Sequence, residues 1–334
     1  MSATILDEVM TSLHVLSLPM KVKFRGIETR EIALFSGPFG WGEFSPFLEY
    51  DNVESLPWLM SGIEAAFVQP PEPLRKSIPI NATLPEIDSK VRIGEILAWY
   101  PGCKTVKIKV GNDLERDLAR IAIVSSILPT AKIRVDVNGS WEVEYATRAL
   151  RAIYEIIGEL FEYAEQPCET IAELCELKEK LQLPIKIAGD EVFRKAKDPF
   201  SININGAIDI MILKAAPLGG IRRSLALALH HRLPAVVSSA LESAVGISQE
   251  LRLAASLPEL NYDSGLATGV LFTNDVGSQQ IVDGQILMEP LIPNQKVLSD
   301  FAALPERKTW WQDRIRKTWA NGAADWIKRE GWKP

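Results

Sequence analysis

The sequence predicts an α/β chain, a (β/α) barrel with a smaller α+β domain in front of it, and three observations lead there. From residue 77 onward, short β-type runs alternate with amphipathic helix-type runs. Single charged residues recur at the ends of those β-type runs, about one βα unit apart. The first 76 residues follow a different pattern, with alternating extended segments, a glycine-rich turn and one helix.

The elements follow in order. Lys21–Phe24 and Glu31–Phe35 alternate apolar and polar residues like antiparallel strands, and Gly37-Pro38 marks a turn. Gly37, Gly40 and Gly42 read as hairpin glycines, and Val53–Phe67 as a helix. The barrel strands are Pro79–Leu84, Thr105–Val110, Ile133–Val137, Leu160–Glu165, Pro184–Asp190, Ala207–Lys214, Ala235–Ala240 and a weaker one near Leu260–Asp263. Each is rich in β-branched and apolar residues and is punctuated by Pro, Gly, Asn or Asp. Between them, Leu114–Leu128, Trp141–Ile157, Ile171–Leu181, Ile221–His231 and Glu242–Ser256 carry apolar residues at three- and four-residue spacing, the signature of helices with one buried face. Strands alternating with helices imply a parallel sheet, and eight of them in about 190 residues imply a closed barrel. No strand is followed by the glycine fingerprint of a dinucleotide site. Residues 1–76 are expected to form the α+β capping domain, completed by a C-terminal segment, 285–334, and residues 77–284 the barrel. Five of the nine Trp lie in the last 25 residues, a concentration that predicts a segment packed back onto the fold.

Composition narrows the function. The 334 residues are 47% hydrophobic and 24% charged, which is ordinary globular usage. A net charge of −6 lacks the basic footprint of nucleic-acid binding. Three Cys (Cys103, Cys168, Cys175) form neither a zinc pattern nor a disulfide set, and three His (His14, His230, His231) leave no histidine-rich metal site. Asp7 and Glu8 stand where a signal peptide would carry basic residues, and no apolar run is long enough for a membrane span. A soluble cytoplasmic protein without nucleic-acid or membrane partners is expected.

Charge inside apolar strands is the informative feature. In Thr105-Val106-Lys107-Ile108-Lys109-Val110 the two Lys are two residues apart and share one face of the strand. Asp136, Glu165, Asp190 and Lys214 each end a later strand, and from Lys109 onward the spacings are 27, 29, 25 and 24 residues. One such residue per strand, always at the C-terminal end, is how barrel enzymes assemble a site. Three carboxylates from consecutive strands would repel one another, so they suit a hard cation with oxygen ligands, Mg²⁺ before Mn²⁺. Lys107 and Lys109 on one side and Lys214 on the other would flank that cation. A partly desolvated Lys beside a dication has a lowered pKa and can serve as a general base. The pattern suits removal of a proton next to a carboxylate. Arg134 and Lys186 fall deeper on the same strand faces and are read as a structural ion-pair layer. If both are counted, the site has a surplus of positive charge that favours a small dianionic carboxylate substrate. Cys168 and Cys175 read as inert packing thiols, and His230-His231 as cations at a helix end.

The set Lys107-Ile108-Lys109, Asp136-Val137-Asn138, Glu165-Gln166-Pro167, Asp190-Glu191 and Lys214 with Gly219-Gly220 resembles the enolase superfamily, in the branch that contains muconate lactonising enzymes, dipeptide epimerases and o-succinylbenzoate synthases. The fold class implied is the modified TIM barrel of that superfamily with its N-terminal α+β cap. Phe24–Glu31 and Gly40–Phe47 are similar to the cap of the actinobacterial-type synthases, and Ser238–Ser243 to their seventh-strand motif.

This resemblance implies that Lys109 is the base, with Lys107 beside it, and that Lys214 faces it as a cation. It implies that Asp136, Glu165 and Asp190 bind Mg²⁺, with Asn138 and Glu191 behind them, and that Ser238 and Ser239 contact a succinyl group. The implied reaction is a dehydration that yields o-succinylbenzoate on the route to menaquinone. Racemisation of N-succinylamino acids, dipeptide epimerisation and muconate cycloisomerisation use the same frame. Racemising relatives tend to carry an Arg at the place of Pro217. A non-catalytic, metal-holding protein is the remaining alternative, and Lys109 and Lys214 argue against it. The cap segments Leu18–Gly26 and Phe44–Tyr50 are the expected substrate-enclosing loops.

Overall fold

The computed structural model describes residues 4–204 and 206–332. Its strands are β1 (His14–Phe24), β2 (Ile27–Gly37), β3 (Gly40–Phe44), β4 (Ser77–Pro79), β5 (Ala82–Leu84), β6 (Thr105–Lys109), β7 (Lys132–Asp136), β8 (Phe161–Glu165), β9 (Ile187–Gly189), β10 (Ile210–Leu213), β11 (Ala235–Val237), β12 (Ile281–Val282) and β13 (Gln285–Leu287). The helices are α1 (Ile5–Thr11), α2 (Asn52–Phe67), α3 (Lys90–Leu97), α4 (Leu114–Ile127), α5 (Val143–Ile157), α6 (Ile171–Leu181), α7 (Glu191–Arg194), α8 (Ala215–Leu218), α9 (Ile221–His231), α10 (Ala244–Ser256), α11 (Gln295–Asp300), α12 (Pro305–Ala320) and α13 (Ala323–Glu330).

Strands β5 to β11 form one parallel sheet in sequence order, with helices between them. The alternation predicted from residue 77 is therefore present. In α5 the buried residues are Val143, Ala146, Ala149, Leu150, Ile153 and Ile157, the spacing of one helical face against the sheet. Thr170 and Glu173 form a reciprocal capping box that starts α6 where the sequence placed it.

The eighth strand departs from expectation. In place of a strand at 260–263, Ser264 bridges Ile80 and Gly265 bridges Ser238, both in parallel sense, and these two contacts join the ends of the sheet. Two predicted cap strands extend to 11 residues each and pair antiparallel. The hairpin read at Gly37, Gly40 and Gly42 is present: Gly37 pairs with Gly40 across the Pro38-Phe39 turn, and the returning arm is a third cap strand, β3, paired with β2 up to Ala33↔Phe44. Gly42 is there because α2 lies directly over it: a Cβ would sit 2.1 Å from the Gly62 carbonyl oxygen.

The cap sheet, α2 and the C-terminal helices share a second apolar core that includes Phe35, Phe44, Trp58, Trp311 and Trp326. Trp311 is fully buried, packs edge-on to Phe44 at 5.7 Å and donates its indole N–H to Glu31 at 2.9 Å. The tryptophan-rich end thus packs into the cap. Two cap carboxylates fasten cap to barrel by accepting from the unpaired amides that begin barrel helices. Glu64 of α2 receives the Ile221 and Arg222 amides of α9. Glu43 at the end of β3 receives the Ser243 amide and hydroxyl and the Gly246 amide at the start of α10. Among the described residues, no helix is long and apolar enough to cross a membrane.

Candidate active site

The parallel register sets the functional side chains. Lys109 is paired with Asp136 and Asp136 with Glu165, so three neighbouring strands present these residues at one level. Asp190 follows β9 directly and Lys214 follows β10, which brings the next two strands to the same mouth. Ser238 follows β11, and Gly265 bridges it from the closing segment.

Every strand-end residue singled out in the sequence lies in this cluster, and the contacts are ionic. Lys107 Nζ lies 3.0 Å from Asp136 and 3.1 Å from Glu165. Lys109 Nζ lies 2.6 Å from Asp136 Oδ2 and 2.7 Å from Asn138 Oδ1. Lys214 Nζ lies 2.5 Å from Asp190. Asp136, Glu165 and Asp190 are all at most 2% exposed. Burial alone would raise all three carboxyls. In Asp136 the opposing charges of Lys107 and Lys109 outweigh burial and hold it well below the carboxylate range. In Glu165 burial and the Asp136 charge prevail over Lys107 and push it up to about 7. Lys109 is lowered from its usual value, first by burial and further by the neighbouring Lys107 charge, against the pull of Asp136. Lys107, held between two carboxylates, is raised despite its burial.

The donor set is three buried carboxylates from three consecutive strands, counterbalanced by Lys107, Lys109 and Lys214 and, at Asp190, by Arg194 at 3.4 Å. Its chemistry fits a hard divalent cation. Among the described residues no three carboxylate, His or Cys groups converge as a closed ligand cage, and the ammonium groups of Lys107 and Lys214 are seated against these oxygens.

Behind Lys109 runs a hydrogen-bonded chain that strand spacing alone could not reveal. Asn138 accepts from Lys109 and donates to Glu191 at 3.2 Å. Arg194 donates to the same Glu191 oxygen at 2.6 Å and to the Tyr50 hydroxyl of the cap at 3.2 Å. Arg194 stands one helical turn after Asp190, and that i,i+4 spacing was the signal available in the sequence. Tyr50 in turn packs edge-on against Phe47 at 5.6 Å and Trp58 at 6.1 Å.

Above the cluster, between cap and barrel, is a narrow cavity of about 30 Å³. Its lining includes Phe24, Arg25 and Leu241 as well as Lys109, Lys214, Ser238, Ser239 and Thr268. Of the expected substrate-enclosing cap segments, Leu18–Gly26 supplies Phe24 and Arg25 to this wall, while Phe44–Tyr50 reaches it through Tyr50 on Arg194. Ser239 Oγ and Thr268 Oγ1 are 2.7 Å apart.

Two residues counted in the site's charge lie elsewhere. Arg134 is fully buried and structural as expected, paired with Glu162 at 2.6 Å and bonded to Asn81 and the Asp263 carbonyl. Lys186 is exposed and donates to the Tyr262 hydroxyl at 2.9 Å, so it forms no ion-pair layer. The positive surplus comes instead from Arg25 and Arg194, which the sequence reading missed. Cys168 is buried and burial pushes its thiol up to about 12, in keeping with an inert packing role. His231 bonds the Pro199 carbonyl at 2.8 Å and His230 packs on Phe200, away from the cavity.

Comparison with known proteins agrees with this geometry. Residues 15–66 match the family described as Enolase N-terminal domain-like, and residues 95–290 match Enolase C-terminal domain-like. A protein named o-succinylbenzoate synthase from Mycobacterium leprae is 48% identical over 315 residues, spanning 93% of this chain and 92% of its own. One of the same name from Mycolicibacterium smegmatis is 46% identical over 314 residues, 93% and 96% of the two chains. Among solved structures, the muconate lactonizing enzyme from Pseudomonas putida superposes with a TM-score of 0.73 at 21% identity, over 87% of this chain and 98% of that one. At that identity the likeness shows the fold alone.

Proposed function

The chain belongs to the o-succinylbenzoate synthase family of the enolase superfamily, and from that premise we propose how its own residues remove water from 2-succinyl-6-hydroxy-2,4-cyclohexadiene-1-carboxylate. The observation that carries the proposal is the Lys109–Asp136–Lys107 contact set beside Lys214, at one level of a barrel mouth.

In this reading Asp136, Glu165 and Asp190 hold a divalent cation, Mg²⁺ by preference. That cation, when bound, neutralises the substrate carboxylate and stabilises the negative charge that develops on it. Lys109, as the neutral amine, takes the proton on the carbon bearing that carboxylate. Its partly lowered pKa makes the amine accessible. Lys214, on the opposite side, stays a cation facing the charge that spreads onto the carboxylate oxygens. The bond to the neighbouring hydroxyl then breaks with its electron pair, the ring becomes aromatic, and the oxygen leaves as water after taking a proton. Lys109 stands on the face where it accepted the first proton and can return it there, a syn elimination. Ser238 and Ser239 line the same cavity, which supports reading them as contacts of the succinyl arm. Asn138, Glu191 and Arg194 hold Lys109 in place and touch no reacting atom. We infer a place in menaquinone synthesis from the product alone.

The test is conversion of the cyclohexadiene to o-succinylbenzoate by the purified protein, with Mg²⁺ and again with EDTA. Metal-dependent conversion is expected. No conversion, together with α-proton exchange into N-succinylamino acids in deuterated water, would replace this reading with a racemase.

A further inference from the structure

We propose that Arg25, at the tip of the cap hairpin, is the anion anchor for the second carboxylate of the dianionic substrate, on the cap wall of the cavity. This rests on the dehydration reading above and adds a specificity residue to it.

Five cations line the cavity: Arg25, Lys107, Lys109, Arg194 and Lys214. Four are already matched, since Lys107 and Lys109 meet Asp136, Lys214 meets Asp190, and Arg194 meets Asp190 and Glu191. Among the described residues the Arg25 guanidinium donates to no protein acceptor. It is held by stacking alone, 4.2 Å from the centre of the Phe47 ring. The other face of the Phe47 environment is fixed by Arg30, buried, 4.4 Å from the same ring and bonded to the Leu241 and Ser45 carbonyls. The stacking fixes the plane of the Arg25 guanidinium and leaves its fork of N–H donors unused, the arrangement suited to a carboxylate.

The backbone gives an independent sign. Phe24 pairs with Ile27, so Arg25 and Gly26 form a two-residue hairpin loop. Both are left-handed, at φ 49° and 79°. That turn favours Asn-Gly, and an Arg in its first position carries strain that a merely structural loop would not need. The turn also puts Phe24 against Lys109, 5.8 Å from ring centre to Nζ, so one hairpin tip touches the base and supplies the free guanidinium. The substrate chemistry matches: one carboxylate must lie at the lysine and carboxylate cluster for its α-proton to be taken, and the succinyl carboxylate must then lie several bonds away. Arg25 and Lys109 line the same cavity, Arg25 from the cap and Lys109 from the barrel.

The experiment compares wild type with Arg25→Gln and Arg25→Lys on two substrates, the dianion and its analogue with the succinyl carboxylate converted to an amide. Calorimetric binding of o-succinylbenzoate to each protein is measured in parallel. Loss of a charge-assisted pair is expected to lower kcat/KM for the dianion about 10- to 100-fold in Arg25→Gln, mainly through KM. Product affinity should fall by a similar factor, and Arg25→Lys should recover part of both. Against the amide, wild type and Arg25→Gln should be equal, since the partner is already gone. A variant equal to wild type on the dianion, or one that loses as much on the amide, overturns the role of Arg25. Wild type that neither converts the dianion nor binds the product overturns the dehydration reading and this inference together.

Discussion

Lys109 and Asp136 stand opposite one another in parallel register on β6 and β7, and the amine of the first lies 2.6 Å from a carboxylate oxygen of the second. Lys107 reaches the same oxygen at 3.0 Å. Two ammonium groups on one buried carboxylate make a site already organised around concentrated charge, and a divalent cation adds to it by binding the folded state. Millimolar Mg²⁺ is therefore expected to raise the melting temperature. Asp136→Asn, Glu165→Gln and Asp190→Asn should each abolish that rise. A variant that keeps the full Mg²⁺ shift is not a ligand variant.

Tyr50 and Arg194 tie the cap to the base. Tyr50→Phe removes one hydrogen bond, worth about 1 kcal/mol, and should lower kcat/KM about fivefold with little change in Mg²⁺ affinity. Arg194→Gln leaves Glu191 buried with Asn138 as its remaining side-chain donor and should cost more, about 10- to 100-fold in kcat. Steady-state kinetics beside Mg²⁺ titration separates this positioning role from loss of metal.

Glu64 accepts two amides that begin α9, and it stands beside Gly220, where a Cβ would lie 2.2 Å from its Oε2. Glu64→Ala strands those amides at the cap–barrel junction. Thermal unfolding should show a loss of about 1–3 kcal/mol, a few degrees, while Mg²⁺-saturated kcat stays within a few-fold.

Glu242 is buried, and burial followed by the nearby Glu43 charge pushes its carboxyl from 4.5 up to about 7. Folding therefore takes up a proton between those values, so this group's contribution to stability is full below about pH 4.5 and is lost as pH rises through 7. Glu242→Gln, neutral throughout, should be stabilised relative to wild type at pH 8, by about 3 kcal/mol at the upper limit, and should show no such gain at pH 4.5. Melting curves across that interval read the difference, and a gap that does not widen with pH contradicts the assignment.

Much of this was legible in the sequence because it depends on local periodicity. Buried strands ending in one charge every 24–29 residues placed Lys109, Asp136, Glu165, Asp190 and Lys214 at one rim before any coordinates. The helices Ile171–Leu181 and Ile221–His231 were readable to the residue from apolar spacing, reinforced in the first by its capping box and bounded in the second by Gly219-Gly220. What escaped depends on contacts distant in sequence. The hairpin at Gly37–Gly40 was legible, but its returning strand β3 was not, because Gly42 answers to the backbone of α2 at Gly62, 20 residues on. The eighth barrel position is two bridges, at Ser264 and Gly265, too short for a periodic signal. Lys186 shares a strand face with buried residues, yet its side chain reaches Tyr262 near the exposed end. Arg25 lies on a hairpin turn and Arg194 ends a one-turn helix, where strand alternation carries no information, and only the meeting of cap and barrel brings Tyr50 to Arg194 and both arginines to one cavity.

The central claim is that Lys109 takes the α-proton, and the most direct measurement is the loss of cyclohexadiene absorbance in Mg²⁺-saturated wild type and Lys109→Ala, each with protiated and α-deuterated substrate. The account predicts a primary isotope effect on kcat/KM in wild type and a rate at least about 10²-fold lower in the variant, with the Mg²⁺ melting shift retained. A Lys109→Ala protein that turns over within tenfold of wild type, with the isotope effect intact, would contradict it.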